Sequence, residues 1–323
     1  MKLSININSN SFFIPFLLGI VFLVSCNKDS DIFTPNTSEP DLQGNINNFY
    51  REIRNTVPYE DFTISTESEN SVTTNSGLRI IIPQAAFTDS LNNIVKGNVL
   101  VRVIQLSQKS DFIKFSQFSN TDSLLLDWYK NIDLEVYFNK QKLKIDTDKS
   151  ILIQIPNMNV SPSLKIFNGK YNSTREFRVI PSAYSNIKNS IWKDGSSGSV
   201  VEGFEFSTPS LGWICICTPS KIKATHKVSV HMPINYRSFN TLVLGINSND
   251  NIIYRFDDTK EIESVFVQNV LNLENLTIYT ASDQKTSYFS DSKFYEKLDE
   301  EASIQLEPKQ SNIDQINKEL SVL

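Results

Sequence analysis

The feature that most restricts how this chain can fold is a two-residue period in its apolar positions. Ile132, Leu134, Val136 and Phe138 alternate with Asp133, Glu135 and Tyr137, which puts four apolar side chains on one face of an extended strand and the acids on the other. The apolar face must be buried, and the default expectation for Asp133 and Glu135 is solvation. Similar short runs recur at 78–82, 98–106, 143–145, 151–155 and 164–167, and again at 203–207, 213–217, 226–231, 241–246, 251–256, 264–270 and 276–280. Turn residues such as Asn92-Asn93, Lys96-Gly97 and Asn168-Gly169 separate them. No long amphipathic helical stretch alternates with these runs, which argues against a parallel βαβ sheet. The pattern predicts an all-β protein built of tandem β-sandwich domains. One helix is expected at the end, where Ile313, Ile316 and Leu320 have helical spacing and Ser311 is a candidate cap.

With 323 residues, the chain has room for about two domains of roughly 150 residues each. A polar stretch over 184–202, containing Trp192 and the Gly195-Ser196-Ser197-Gly198 run, reads as a linker or a long hairpin loop. It divides a first domain at 49–183 from a second at 203–323. An apolar content of 40%, with 21 Phe and 11 Tyr, excludes a disordered chain, and 10 Gly with 12 Pro exclude collagen-like sequence. The 36 acids against 31 bases, a net charge of −5, provide no electrostatic footprint for nucleic acid.

The N-terminus predicts where the protein sits. Residues 1–25 read as an export signal, with Lys2 as the only charge and an apolar run from Phe12 to Val24 interrupted by Pro15 and Gly19. That run is shorter than the ~20 residues a membrane-spanning helix needs. It ends in Leu23-Val24-Ser25-Cys26, which resembles the bacterial lipobox. The resemblance implies that Cys26 becomes the first residue, with its thiol carrying a diacylglyceryl group that anchors the protein to membrane lipid. Residues 26–48, polar and containing Pro35 and Pro40, read as a flexible tether. The Asn27-Lys28-Asp29-Ser30-Asp31 start resembles lipoproteins of the Bacteroidetes, in which acids just after the lipidated cysteine favour display on the cell surface. An outer-membrane lipoprotein, acylated with palmitate-class chains, is the expectation.

A second resemblance lies in Gly77-Leu78-Arg79-Ile80-Ile81-Ile82-Pro83-Gln84-Ala85-Ala86-Phe87-Thr88-Asp89, followed by Asn93, Val95 and Gly97-Asn98-Val99. A strand ending at Ile-Pro, an Ala-Phe pair and a returning Gly-x-Val strand resemble the β-sandwich module of ankyrins, netrin receptors and zonula occludens proteins, the ZU-five type. In Bacteroidetes lipoproteins this module often precedes a Leu-Gly-Trp-Ile-Asn block, which Leu211-Gly212-Trp213-Ile214 resembles. Cys215 and Cys217 stand where that block carries Asn and Asp.

Few residues suit chemistry. Cys215 and Cys217 share one strand face with Trp213, and His226 and His231 are separated by an odd number, which matches no familiar zinc spacing. Buried free thiols are the expected state. Gly195-Ser196-Ser197-Gly198 lacks the spacing of a nucleophile elbow and reads as a turn. Glu296, Asp299, Glu300 and Glu301 lack calcium-loop spacing. Phe112, Phe115, Phe118, Trp128 and Tyr129, with Lys109 and Lys114 nearby, suit either an exposed stacking surface for sugars or a partner, or core packing, which is favoured. No cofactor or metal is expected. The leading reading is a non-catalytic, lipid-anchored envelope protein with a protein or glycan partner. The alternative is an envelope hydrolase or carbohydrate-processing accessory lipoprotein, which requires two convergent carboxylates or a shielded nucleophile in a concave site.

Overall fold

A computed structural model describes residues 44–120, 124–156, 161, 163–183, 186–193, 198–259 and 264–323. The segment read as an export signal, with Leu23, Val24, Ser25 and Cys26, and the segment read as a tether, as far as residue 43, lie outside the described residues. In chain order the first part comprises α1 (Ile46–Arg54), β1 (Tyr59–Ser65), β2 (Asn70–Thr73), β3 (Arg79–Ile82), β4 (Phe87–Thr88), β5 (Asn98–Leu106), α2 (Lys109–Lys114), β6 (Leu125–Phe138), β7 (Gln141–Lys142), β8 (Lys144–Ile145), β9 (Ile151–Pro156), β10 (Lys165–Tyr171), β11 (Phe177–Pro181), β12 (Lys188–Lys193), β13 (Val200–Thr208) and β14 (Gly212–Ser220). The second comprises β15 (His226–Met232), β16 (Thr241–Asn247), β17 (Ile253–Arg255), β18 (Asp257–Asp258), β19 (Ser264–Val270), β20 (Glu274–Asp283), β21 (Tyr288–Lys297), β22 (Ala302–Gln305), β23 (Lys309–Ser311) and α3 (Ile313–Ser321).

The fold is all-β, with two sandwiches. In the first, a sheet ordered β1-β5-β6-β14-β10-β11, with β7 beside β6, packs against a sheet ordered β12-β13-β9-β3-β2. Period-two alternation makes this core: Val99, Val101, Val103, Ile132, Leu134, Val136, Ile214 and Ile216 from one sheet meet Ile80, Ile82, Ile151, Ile153, Ile155, Phe204 and Phe206 from the other. Ala86 and Phe87, 1% exposed, belong to the same core. The second sandwich pairs a β18-β19-β15-β22 sheet with a β17-β16-β20-β21-β23 sheet around Val228, Val230, Val243, Tyr254, Phe266, Ile278 and Ile304. Burying each large aliphatic or aromatic side chain contributes roughly 1.5–3 kcal/mol, so cores of this size need no disulfide framework.

A third apolar cluster joins the two sandwiches. It takes Trp128, Phe167, Trp213, Cys215 and Cys217 from the outward face of the larger first sheet, and Leu242, Leu244, Ile246, Tyr279 and Ala281 from β16 and β20. The three helices among the described residues contribute: Phe49 and Ile53 from α1, Phe112 and Ile113 from α2, Ile316 and Leu320 from α3. Strands at this junction are apolar on both faces, and every residue of β16 is buried. The described residues from 44 to 323 accordingly form one compact unit.

Several boundaries differ from expectation. Of the two readings of 184–202, the hairpin holds and the linker does not: β12 and the start of β13 pair antiparallel in register Trp192↔Val201. β13 pairs with β9, and β14 lies between β6 and β10, so the chain passes to the second sandwich only after Ser220. Polar residues mark turns whether or not a domain ends there. The tether reading ran to Asn48, but α1 starts at Ile46, where the Asn45 side chain accepts from Asn47 N at 2.9 Å and caps the helix. Asn312, not Ser311, caps α3, accepting from Gln315 N at 2.8 Å, because Ser311 is committed to β23 opposite Tyr288.

Candidate binding cleft

A concave site of about 510 Å³ lies between the two sandwiches. One wall is the β10–β11 hairpin. Asn172 organises its turn: its Oδ1 accepts from Glu176 N at 2.9 Å and from Thr174 Oγ1 at 2.7 Å, while its Nδ2 donates to Glu176 Oε2 at 2.9 Å. Arg175 takes the left-handed position of that turn (φ 63°). Arg178 follows on β11, 3.5 Å from Glu176 Oε2. Phe177 lies across Gly169, where a Cβ would sit 2.2 Å from its ring, so glycine is what lets the ring reach Trp213, edge-on at 6.0 Å.

The opposite wall carries Arg255, at the end of β17, and Asp257. The Arg255 backbone is clamped: its N–H donates to Asn120 Oδ1 at 3.0 Å, and its carbonyl accepts from Asn120 Nδ2 at 3.3 Å and from Gln268 Nε2 at 2.7 Å. The guanidinium stands 5.8 Å from the centre of the Phe118 ring. Three guanidinium groups, two carboxylates and two phenyl rings thus converge in a chain whose acids outnumber its bases. The Asn172 hydrogen bond, helped by Arg178, holds Glu176 below the usual carboxylate range, so it stays ionised. A second, shallower depression lies at Thr63, Leu100, Arg102, Tyr137 and Lys140. There Arg102 is already matched by a two-pronged pairing with Asp61, at 2.8 Å on each prong.

The residues singled out from sequence do not gather in either place. Cys215 and Cys217 are free thiols in the shared interior, register partners of Asn131 and Trp128, with a β-bulge in the pairing between them. Burial pushes the Cys215 thiol well up and that of Cys217 up to about 12, so neither is a nucleophile at neutral pH. His226 and His231 lie on β15 in the other sandwich, and no group of three metal-ligating side chains occurs among the described residues. Gly195, Ser196 and Ser197 lie outside the described residues. Glu296 is exposed on β21, and Asp299, Glu300 and Glu301 are exposed just beyond that strand. Phe112 and Trp128 are buried and stacked at 5.7 Å, Phe115 is buried, and Tyr129 and Phe118 pack against the cores. Lys109 is tied down at 2.6 Å from the Asn247 carbonyl.

The expected solvation of Asp133 is corrected. Its side chain is 9% exposed, beside register partners Ile104 and Trp213, because the outward face of β6 is covered. Burial, reinforced by the negative charge of Glu135, raises its pKa to about 7. Burial also pushes Glu135 up, but hydrogen bonds from Lys142 and Tyr137, both 2.6 Å, outweigh that and hold it low. Sequence reasoning did not flag Arg175, Arg178 or Arg255. They lie far apart along the chain with no motif spacing, and only the packing of the hairpin opposite β17 brings them together.

By fold and site this is an all-β protein of two fused sandwiches with a charged cleft between them. No family model matches the chain, and no curated protein matches it.

Proposed function

We propose that the chain is an exported, lipid-anchored envelope protein whose β body works by binding, without catalysis. The observation that carries the anchoring is Leu23-Val24-Ser25-Cys26 at the end of the apolar run from Phe12 to Val24. Acylation of Cys26 fixes the protein to the outer membrane, and Asn27-Lys28-Asp29-Ser30-Asp31 favours display at the cell surface. The ZU-five-like resemblance of Gly77 to Val99 belongs to the same reading.

Support for binding over hydrolysis comes from the cleft. A glycoside-type hydrolase needs one carboxyl kept protonated beside the substrate. Glu176 is held ionised, and none of Asp111, Asp127, Asp133 and Asp250, the acids whose pKa burial raises, is among the residues lining the cleft. The mature protein is expected to incorporate labelled palmitate and to fractionate with membranes, and Cys26→Ala is expected to lose both. A Cys26→Ala protein that is still acylated and equally membrane-bound overturns the anchoring.

A further inference from the structure

The geometry points to a carboxylate-bearing sugar, an acidic oligosaccharide of the uronic-acid kind, as the ligand of the cleft between the sandwiches; this rests on the reading that the protein works by binding. Arg175 and Arg178 from one wall and Arg255 from the other line one site, with Arg178 3.5 Å from Glu176 Oε2, and guanidinium forks match carboxylates with two parallel hydrogen bonds. Arg255 is the anchor. Three hydrogen bonds with the Asn120 and Gln268 side chains hold its backbone and so fix the point from which its side chain reaches the cleft.

The same walls carry Glu176 and Asp257. To a ligand that is anionic throughout, such as inorganic phosphate, these carboxylates are like charges at close range. To hydroxyl groups they are acceptors, and Glu176 remains ionised to serve as one. A molecule with carboxylates and hydroxyls on the same rings satisfies both sets. Phe118 and Phe177, partly exposed, add apolar surface for the C–H face of a sugar ring. The cleft, at about 510 Å³, falls in the size range of small-molecule sites. The depression at Arg102 offers a single guanidinium, held on both prongs by Asp61.

The test is calorimetric titration of the full chain in detergent with trigalacturonate, its fully methyl-esterified counterpart and inorganic phosphate. Trigalacturonate is expected to bind, more weakly as salt rises, with the methyl ester and phosphate much weaker. Affinity is expected to fall about tenfold or more in Arg255→Ala and in Arg175→Ala, and also in Arg255→Lys, which keeps the charge and loses the fork. Circular dichroism and thermal unfolding establish that each variant is folded. If Arg255→Ala does not fold, Arg175→Ala, in an exposed turn, carries the same comparison. The proposal is overturned if folded wild-type protein does not bind trigalacturonate, if the methyl ester or phosphate binds as tightly, or if the folded arginine variants bind unchanged. Failure here with Cys26 still acylated removes the ligand and leaves the anchored-protein reading, whereas loss of the Cys26 result leaves the ligand standing.

Discussion

Asp133 is an acid that the fold keeps out of water, on the outward face of β6 and 9% exposed. Its folded pKa of about 7 lies above the ordinary 3.8, so the folded state holds a proton over a pH range in which the unfolded chain releases it. Below about pH 4 both states are protonated and the group is neutral to stability. As pH rises from about 4 to about 7 stability falls, and above about 7 the loss is complete, on the order of 4 kcal/mol at most. Asp133→Asn removes that slope. Its melting temperature is expected to exceed the wild type's by several degrees at pH 8, with the advantage shrinking toward pH 4. Melting curves from pH 4 to pH 8 check this, and parallel wild-type and variant profiles sink it.

At the scale of elements, α1 is held by Arg54 as much as by its apolar stripe. Arg54 Nε donates to the Lys114 carbonyl at 3.2 Å and Nη2 to Ser116 Oγ at 3.2 Å, which ties α1 to the end of α2. Its guanidinium also lies 5.1 Å from the Tyr171 ring centre and 5.6 Å from that of Phe115. Hydrogen bonds from a charged donor and contacts with aromatic faces together suggest that Arg54→Ala costs about 2–3 kcal/mol. Arg54→Lys is expected to recover less than half of that, because one ammonium cannot reach both acceptors and stack as well. Chemical denaturation of the two variants measures the difference, and equal stability of Arg54→Lys and wild type contradicts the clamp. The helix itself was hard to read from sequence: Ile46, Phe49, Tyr50 and Ile53 have helical spacing, but nine residues among polar neighbours are a weak signal beside a tether. Continuous runs such as Thr241–Asn247 were legible as strands, yet what covers their second face was not.

For the whole molecule, the third apolar cluster decides how the chain unfolds. Neither sandwich can leave without exposing Trp213, Leu244, Tyr279 and the buried faces of α1, α2 and α3. Scanning calorimetry of the full chain is therefore expected to show one cooperative transition, with calorimetric and van't Hoff enthalpies in agreement. Two resolved transitions would refute the shared interior as an energetic unit. The sequence by itself determined the all-β class and many of the core strands with their inward faces, because alternation is a local signal that each segment carries alone, whereas β1, β2, β11, β12 and β21 to β23 were not read from it. It also supports the proposal for Cys26, because a lipobox-like run is a local pattern of adjacent residues. Only the tertiary structure decided that β13 and β14 belong to the first sandwich, that the outward acid of β6 is buried, and that Arg175, Arg178 and Arg255 face one cleft. Those facts depend on which surfaces pack against which, and contacts between residues distant in the chain leave no period or spacing in the sequence.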